Sequence, residues 1–245
     1  VYRTYITPER EASEDDRRVI DRAIALARRR NPALERTVFE FVRDVLIPRS
    51  DNSRPVNEDE RRTFVMKFQQ CSGPITAKGV EDTAFYIYNR LVALNEVGGE
   101  PGIFGATVDS FHAQNQARLA ELPHCMLATS THDTKRSEDV RARIAALSEI
   151  PLEWSDAVST WEIANRQFKR DIDGETAPDS NEEYLLYQTL IGSWPLTPLD
   201  GEKRSEYVQR IQGYMEKALH EAKENSSWIE PNQPWDEAMR DFVGA

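Results

Sequence analysis

The chain has 245 residues, of which 39% are hydrophobic and 30% charged, so it is long and apolar enough to bury a sizeable core. Its formal net charge of −11 argues against a general nucleic-acid binder and against a protein that binds anionic membranes. The sequence has no apolar run near the roughly 20 residues of a membrane helix, and Cys71 and Cys125 form no disulfide framework, so we expect a cytoplasmic protein without a secretory signal.

Helix-capping residues predict three helices in the first third of the chain. Ser13 begins the first helix, which has an acidic first turn. Asn31 followed by Pro32 predicts the end of this helix and the start of the second. Asn57 predicts the start of the third, after a polar loop over residues 49–56. Each predicted helix carries an apolar stripe at helical spacing, which indicates that all three pack against a core.

A lone lysine and an acidic pair lie between the third predicted helix and the next. Lys78 is followed by Gly79, and Glu81 and Asp82 come directly afterwards. We predict a turn at this point and a helix that starts near Val80. Two interpretations of the turn stay open, namely an ordinary acidic helix start and a ligand site.

The most informative stretch lies near the middle of the chain. After a predicted helix over 111–122, the apolar run from Cys125 to Thr129 predicts a buried strand. Ser137 then predicts the start of another helix. The short loop between them is crowded with polar side chains: His132, Asp133, Lys135 and Arg136. Because α/β folds place binding and catalytic groups at the carboxyl ends of buried strands, this loop is the candidate site.

Three interpretations of the adjacent His132 and Asp133 stay open on the residues alone. The pair is either part of a structural loop, or two ligands of a metal, or a polar clamp on a substrate. A metal site needs three or four converging ligands. The other histidines upstream, His112 and His124, show no spacing that supports such a site.

The last third of the chain is predicted to be helical with one interruption. Trp154 and Trp161 lie seven residues apart, a spacing that favours a core-facing helix over a sugar-stacking surface. Asp171–Ser180 is predicted to be a linker, and Ser180 to begin a capping box for the next helix. The whole chain is therefore predicted to be mainly α, with one or two short strands.

Four long motifs carry a family resemblance. They are Gln69–Pro74 with Ala77–Tyr86, Leu94–Pro101, Ser130–Arg143 and Glu183–Leu190. In this order they resemble the maltooligosyltrehalose synthases, members of the α-amylase superfamily (glycoside hydrolase family 13). The motifs span essentially the whole chain, and each is far more specific than a bare His-Asp pair.

The resemblance implies an intramolecular glucosyl transferase, a (1→4)-α-D-glucan 1-α-D-glucosylmutase of trehalose biosynthesis. It implies a (β/α)₈ barrel with helical insertions and a separate C-terminal β domain. On that basis we expect a helical insertion over 1–123, and a late barrel strand, catalytic loop and following helices over 124–170. The linker over 171–180 and a C-terminal helical segment over 181–245 complete the chain.

The resemblance also implies roles for individual residues. Asp133 matches the family's third catalytic carboxylate, and His132 the sugar-binding histidine beside it. Lys78 and Lys135 match lysines around the reducing-end glucose. No metal or cofactor is implied. The expected partners are a maltooligosaccharide and the remainder of the same polypeptide, with no nucleic acid and no membrane.

The family's nucleophile and general acid/base have no match between Val1 and Ala245. We therefore expect a fragment from the later part of the enzyme that is inactive alone. Two alternatives stay open, a metal-dependent HD-type phosphohydrolase and a non-enzymatic helical interaction module. The phosphohydrolases place the His-Asp pair on a helix, whereas a strand-like run precedes it here.

Overall fold

The structure is a computed structural model, which describes residues 5–7, 12–47 and 57–245. The predicted polar loop over 49–56 lies outside these ranges. The chain divides into two units, Val1–Lys78 and Gly79–Ala245. Within the described ranges, no helix is both long and apolar enough to cross a membrane.

The described residues of the first unit form three helices: α1 (Glu14–Arg30), α2 (Arg36–Leu46) and α3 (Glu58–Thr76). The predicted caps at Ser13 and Asn57 are confirmed, since each side chain accepts hydrogen bonds from backbone N–H groups of the first turn. The predicted start of α2 at Asn31 is wrong. Asn31 ends α1, as predicted, and its side chain donates to the carbonyl of Ala27, but the chain turns before α2 begins.

A small apolar cluster holds the first unit together. Its buried members are Ile6, Leu46, Ile47 and Val65. The buried side chain of Gln69 pairs with the backbone of Ile6, accepting from its N–H at 2.7 Å and donating to its carbonyl at 2.8 Å. These two bonds satisfy an extended segment that would otherwise bury unpaired backbone groups.

The predicted turn around Lys78 is wrong, because the helix continues through it. α3 includes Pro74, passes into a π-helix (Ala77–Ala84), and ends in one α-helical turn, α4 (Phe85–Ile87). A proline inside a helix cannot donate its i→i−4 bond, and glycine costs about 1 kcal/mol relative to alanine, so local propensity favours a break. The wider π-helical turns accommodate the segment instead, and π-helical turns are frequent at functional sites.

The second unit contains six longer helices and one hairpin. The helices are α5 (Val108–Glu121), α6 (Glu138–Ala146), α7 (Pro151–Asn165), α8 (Ser180–Ser193), α9 (Gly201–Ala222) and α10 (Gln233–Gly244). The hairpin pairs β1 (Arg170–Ile172) with β2 (Glu175–Ala177) in antiparallel register. Short 3₁₀ turns cover Val92–Leu94, Leu147–Glu149 and Arg166–Phe168. The prediction of a mainly α chain with one or two short strands is confirmed.

The core of the second unit lies between α6, α8, α9 and α10. Ile144, Met215 and Met239 are among its fully buried side chains. Gly192 of α8 lets α6 approach closely, because a Cβ at this position would lie 2.7 Å from a side-chain carbon of Val140. This contact fixes α6, whose first turn follows the candidate site.

The predicted buried strand over Cys125–Thr129 is wrong. The backbone N–H of Cys125 instead donates to the carbonyl of Leu122 in a turn, and Met126 is 97% exposed. A strand is stable only when a neighbouring strand accepts its backbone hydrogen bonds, and within the described residues none pairs with this run. The apolar pattern was present, but the pairing partner was not.

The predicted linker over Asp171–Ser180 is also wrong, since it forms the β1–β2 hairpin. Asp173 and Gly174 both adopt positive φ angles, 55° and 90°, as a tight two-residue hairpin turn requires. The predicted capping box at Ser180 lies one residue off. Asp179 is the cap of α8, and its partner is Glu182.

The two tryptophans of α7 pack against the aromatic face of α8. The ring centroids of Trp154 and Trp161 lie 5.8 Å apart, and that of Trp161 lies 5.2 Å from Tyr187. The indole N–H of Trp154 donates to the hydroxyl of Tyr184 at 3.0 Å. These contacts support the core-facing interpretation of this helix.

Candidate functional site

The candidate site is the loop over residues 129–137, called the His-Asp loop below. A tight turn forms its tip: the hydroxyl of Thr134 accepts from the N–H of Thr131 at 2.6 Å, and the N–H of Thr134 donates to the carbonyl of Thr131. His132 and Asp133 lie between these two threonines. The turn therefore presents the pair at the end of a closed loop.

The side chains at the tip are available to a ligand. Both His132 and Asp133 are exposed. Among the described residues, neither side chain has a hydrogen-bond or ion-pair partner. An exposed carboxylate can accept several hydrogen bonds, and an imidazole can donate or accept, so the tip is suited to a ligand rich in hydroxyl groups.

Lys135 follows Asp133 by two residues in the loop, and an ion pair holds its side chain. Its ammonium nitrogen lies 2.7 Å from Oδ1 of Asp82, and its side chain is only 11% exposed. A close ion pair that is largely buried fixes the ammonium group more firmly than an exposed pair would. The pairing leaves further N–H groups of the ammonium to donate elsewhere.

A carboxylate from a distant part of the chain holds the backbone of the loop. Oε1 of Glu96 accepts from the N–H of Lys135 at 2.9 Å, and Oε2 accepts from the N–H of Arg136 at 3.4 Å. The guanidinium of Arg141, on α6, lies 3.6 Å from Oε2. Glu96 therefore joins the loop to the first turns of α6.

Arg136 ties the loop to the C-terminal helices. Its guanidinium donates to the hydroxyl of Tyr214 on α9 at 2.6 Å and to the carbonyl of Val92 at 3.3 Å. Nearby, burial raises the pKa of the Tyr86 hydroxyl to about 12, so this phenol stays neutral. The side chain of Arg136 thus connects the loop to α9 and to the 3₁₀ turn over Val92–Leu94.

The segment that carries Glu96 is itself fixed by buried amides. Asn95 donates from its side chain to the carbonyls of Phe85 and Tyr88, each at 2.8 Å. Gln188 of α8 accepts from the N–H of Val92 at 2.9 Å. Because these buried amides bond the backbone in the segment that leads up to Glu96, they restrict where its carboxylate can lie.

The four predicted site residues fall into two groups. His132, Asp133 and Lys135 lie within the His-Asp loop, so the structure brings these three together. Lys78 is exposed on the π-helix and belongs to the first unit. Its predicted place in one pocket with Asp133 stays a prediction.

The residues that support the loop were not predicted from the sequence. Asp82, Glu96 and Tyr214 bond to residues of the loop from segments that lie far from it in the sequence. Two of them lie in segments that the sequence singled out, namely the acidic pair after Lys78 and the Leu94–Pro101 motif. The motifs indicated importance, but not which backbone groups the carboxylates would bind.

Two other features of the described residues bear on the kind of site. None of the described residues forms a cluster of three or more His, Cys, Asp or Glu side chains that could hold a metal ion. A cavity of about 530 Å³ lies between the hairpin and α8. Its polar walls are joined to one another, with the ammonium of Lys169 2.6 Å from the carboxylate of buried Glu183. This ion pair between lining residues supports the fold, so we do not take the cavity as the candidate site.

Solved structures share this fold. The structure of maltooligosyltrehalose synthase from Arthrobacter ramosus superposes with a TM-score of 0.73 and 36% identity, over 93% of this chain and 26% of that one. The crystal structure of a hypothetical maltooligosyl trehalose synthase from Sulfolobus tokodaii gives a TM-score of 0.63 and 34% identity, over 84% of this chain and 30% of that one. The chain therefore has the fold of one part of larger synthases.

Sequence relatives agree with the structural neighbours. A Mycobacterium tuberculosis protein described as a maltooligosyl trehalose synthase is 39% identical over 178 residues, which are 73% of this chain. No protein-family model matches the chain. The chain is a homologue of the maltooligosyl trehalose synthases, which confirms the resemblance seen in its motifs. It spans about a fifth of the length of the curated relatives it matches, 22% in each case.

Proposed function

We propose that the chain forms part of a (1→4)-α-D-glucan 1-α-D-glucosylmutase. Such an enzyme converts the reducing-end α-1,4 linkage of a maltooligosaccharide into an α,α-1,1 linkage. The observation that carries the proposal is the His-Asp loop, in which His132 and Asp133 are exposed and unpartnered among the described residues while the loop backbone is fixed. Homology to the maltooligosyl trehalose synthases supports the substrate class.

In this proposal Asp133 and His132 bind hydroxyl groups of the glucose ring whose bond is broken. A retaining glycosidase mechanism passes through an oxocarbenium-like state, in which hydrogen bonds to ring hydroxyls strengthen. A carboxylate that accepts such bonds stabilises that state more than the bound substrate. The nucleophile and the general acid/base come from the remainder of the polypeptide, so the 245-residue chain alone is expected to be inactive.

The lysines are proposed to hold the cleaved glucose so that it can act as the acceptor. The released glucose must turn so that its anomeric hydroxyl, and not water, attacks the anomeric carbon of the covalent glycosyl-enzyme, loses its proton to the general base and displaces the enzyme's carboxylate. This requires firm positioning and exclusion of solvent. Lys135 is suited to this role, because it follows Asp133 by two residues in the loop and Asp82 fixes its ammonium group. Lys78 is assigned the same role through the family resemblance.

The setting of the proposed enzyme follows from the same considerations. Its partners are the maltooligosaccharide and the barrel and C-terminal β domain of the same polypeptide. Cys71 and Cys125 are both free and exposed, which is compatible with the reducing cytoplasm proposed for it. Neither a cofactor nor a metal ion is part of the proposal.

Activity is tested by incubating the complete enzyme that carries this chain with maltopentaose. The expected product has the same number of glucose units and no reducing end. The 245-residue chain alone is expected to yield none, because it contributes the binding groups and not the bond-breaking pair. Absence of a non-reducing product from the complete enzyme would contradict the proposed function, and turnover by the chain alone would contradict its assignment as a non-catalytic part.

The holding role of the lysines predicts a change in products. Lys135→Ala and Lys78→Ala in the complete enzyme should raise the ratio of free glucose to rearranged product by roughly tenfold, because a poorly held acceptor loses to water. The ratio is measured by chromatography of the products. Lys203→Ala serves as the control, since Lys203 is an exposed lysine in the first turn of α9. A parental ratio in both lysine variants would remove these residues from the acceptor site.

A further inference from the structure

We infer that Glu96 is a positioning residue: its carboxylate fixes the backbone of the His-Asp loop and so sets where Asp133 meets the glucan. The inference rests on the proposed function and adds a residue to it. Glu96 lies 39 residues before Lys135 in the sequence. Nothing in the predicted site pointed to this contact.

Two consecutive backbone N–H groups converge on this one side chain. Each oxygen of the Glu96 carboxylate accepts one of them, from Lys135 and from Arg136. Hydrogen bonds to a charged acceptor are roughly twice as strong as neutral ones. Two neighbouring peptide units that bind one carboxylate have less conformational freedom than unbound ones.

This arrangement anchors the segment that leads into α6. Ser137 is the N-cap residue of α6, but its side chain makes no capping hydrogen bond. The N–H groups that Glu96 binds, those of Lys135 and Arg136, lie just before this N-cap residue. Glu96 supplies that anchor from outside the helix and also pairs with Arg141 inside it.

The carboxylate transmits its position to the tip through a short path. The N–H groups it binds follow Thr134, whose hydroxyl closes the turn around His132 and Asp133. Glu96 touches neither of these two side chains. Because it acts through the backbone, its loss should misplace Asp133 while leaving the carboxylate of Asp133 in the enzyme.

The kinetic test compares Glu96→Ala and Glu96→Gln in the complete enzyme. Misplacing a group by about 1 Å can cost up to a hundredfold in rate, so kcat for the rearranged product should fall at least about tenfold in Glu96→Ala. KM for maltopentaose should change little, because the effect is on the transition state. Glu96→Gln keeps one oxygen acceptor and should recover part of the loss.

The structural test is hydrogen–deuterium exchange of the same enzymes, read in peptides that cover residues 129–137. Exchange should accelerate in Glu96→Ala and less in Glu96→Gln, with peptides from α8 and α9 unchanged. Glu121→Ala, at the exposed end of α5, is the matched control for both experiments. If Glu96→Ala does not fold, Glu96→Gln decides, since it preserves the size of the side chain.

Each outcome separates the inference from the proposed function. Exchange in 129–137 that matches the Glu121→Ala control overturns the role of Glu96, whatever the enzyme makes. A kcat for both Glu96 variants equal to that of the control overturns it as well. If the unmodified enzyme yields no rearranged product, the proposed function fails, and the exchange result alone then decides whether Glu96 fixes the loop.

Discussion

The second unit contains two His–Asp pairs in opposite settings. His132 and Asp133 are adjacent in sequence, exposed, and without a partner among the described residues. His220 and Asp236 lie 16 residues apart on α9 and α10, and Nε2 of His220 lies 2.8 Å from Oδ2 of Asp236. The side chain of His220 is only 6% exposed, and its ring packs edge-on against Trp228 with centroids 4.6 Å apart.

The difference shows that residue type does not define a site, whereas the setting does. The buried pair uses one atom of each side chain to join two helices, and its other polar atoms, Nδ1 of His220 and Oδ1 of Asp236, are buried away from any ligand in solution. The loop pair is held through the backbone by Glu96 and through its neighbours by Asp82 and Tyr214. Its own side chains therefore remain free for chemistry.

Removing each histidine should sharpen this contrast. His220→Ala is expected to lower the free energy of unfolding of the chain by about 2 kcal/mol or more, because it leaves the buried carboxylate of Asp236 without its partner and removes the contact with Trp228. His132→Ala should change it by no more than about 0.5 kcal/mol. Urea denaturation measures both values. Equal effects of the two substitutions would break the comparison.

A smaller effect, that of pH on the free energy of unfolding, is expected at Glu182. Burial, followed by the charge of Asp179, raises the pKa of Glu182 above its ordinary value of 4.5. The folded state therefore holds this proton more tightly than the unfolded state. The stabilisation is fully present below pH 4.5 and is lost as the pH rises through the folded-state pKa.

The variant Glu182→Gln isolates this contribution, because glutamine does not titrate. The free energy of unfolding of the parent, minus that of the variant, should increase as the pH is lowered from 7 to about 4.5. Urea denaturation at several pH values gives the difference. A difference that is constant or decreases over this range would show that folding does not raise the pKa of Glu182.

Local features of the fold were predictable from the sequence. The caps at Ser13 and Asn57 are set by side chains that bond within one turn of their own helix. Asp173-Gly174 is a hairpin signal of the same local kind, but the polar composition around it favoured a linker. This dipeptide alone is enough to predict the turn between β1 and β2.

Features that depend on distant contacts were not predictable in this way. An apolar, β-prone run predicts a strand at Cys125–Thr129, yet strand formation depends on a partner. The candidate loop was found from its residues and family motifs. Its supports were not, because Glu96 and Asp82 reach it across separations of 39 and 53 residues. Long-range pairs of this kind leave no periodic pattern in a single sequence.

The substitution Asp133→Asn in the complete enzyme tests the central claim most directly, that the open pair belongs to an active site. It removes a charge and almost no volume from an exposed side chain, so the fold should be kept. We predict that kcat for the rearranged product of maltopentaose falls on the order of a thousandfold, with circular dichroism unchanged. Asp156→Asn, an exposed aspartate on α7, should leave kcat unaltered. A folded Asp133→Asn enzyme with parental kcat would contradict the claim.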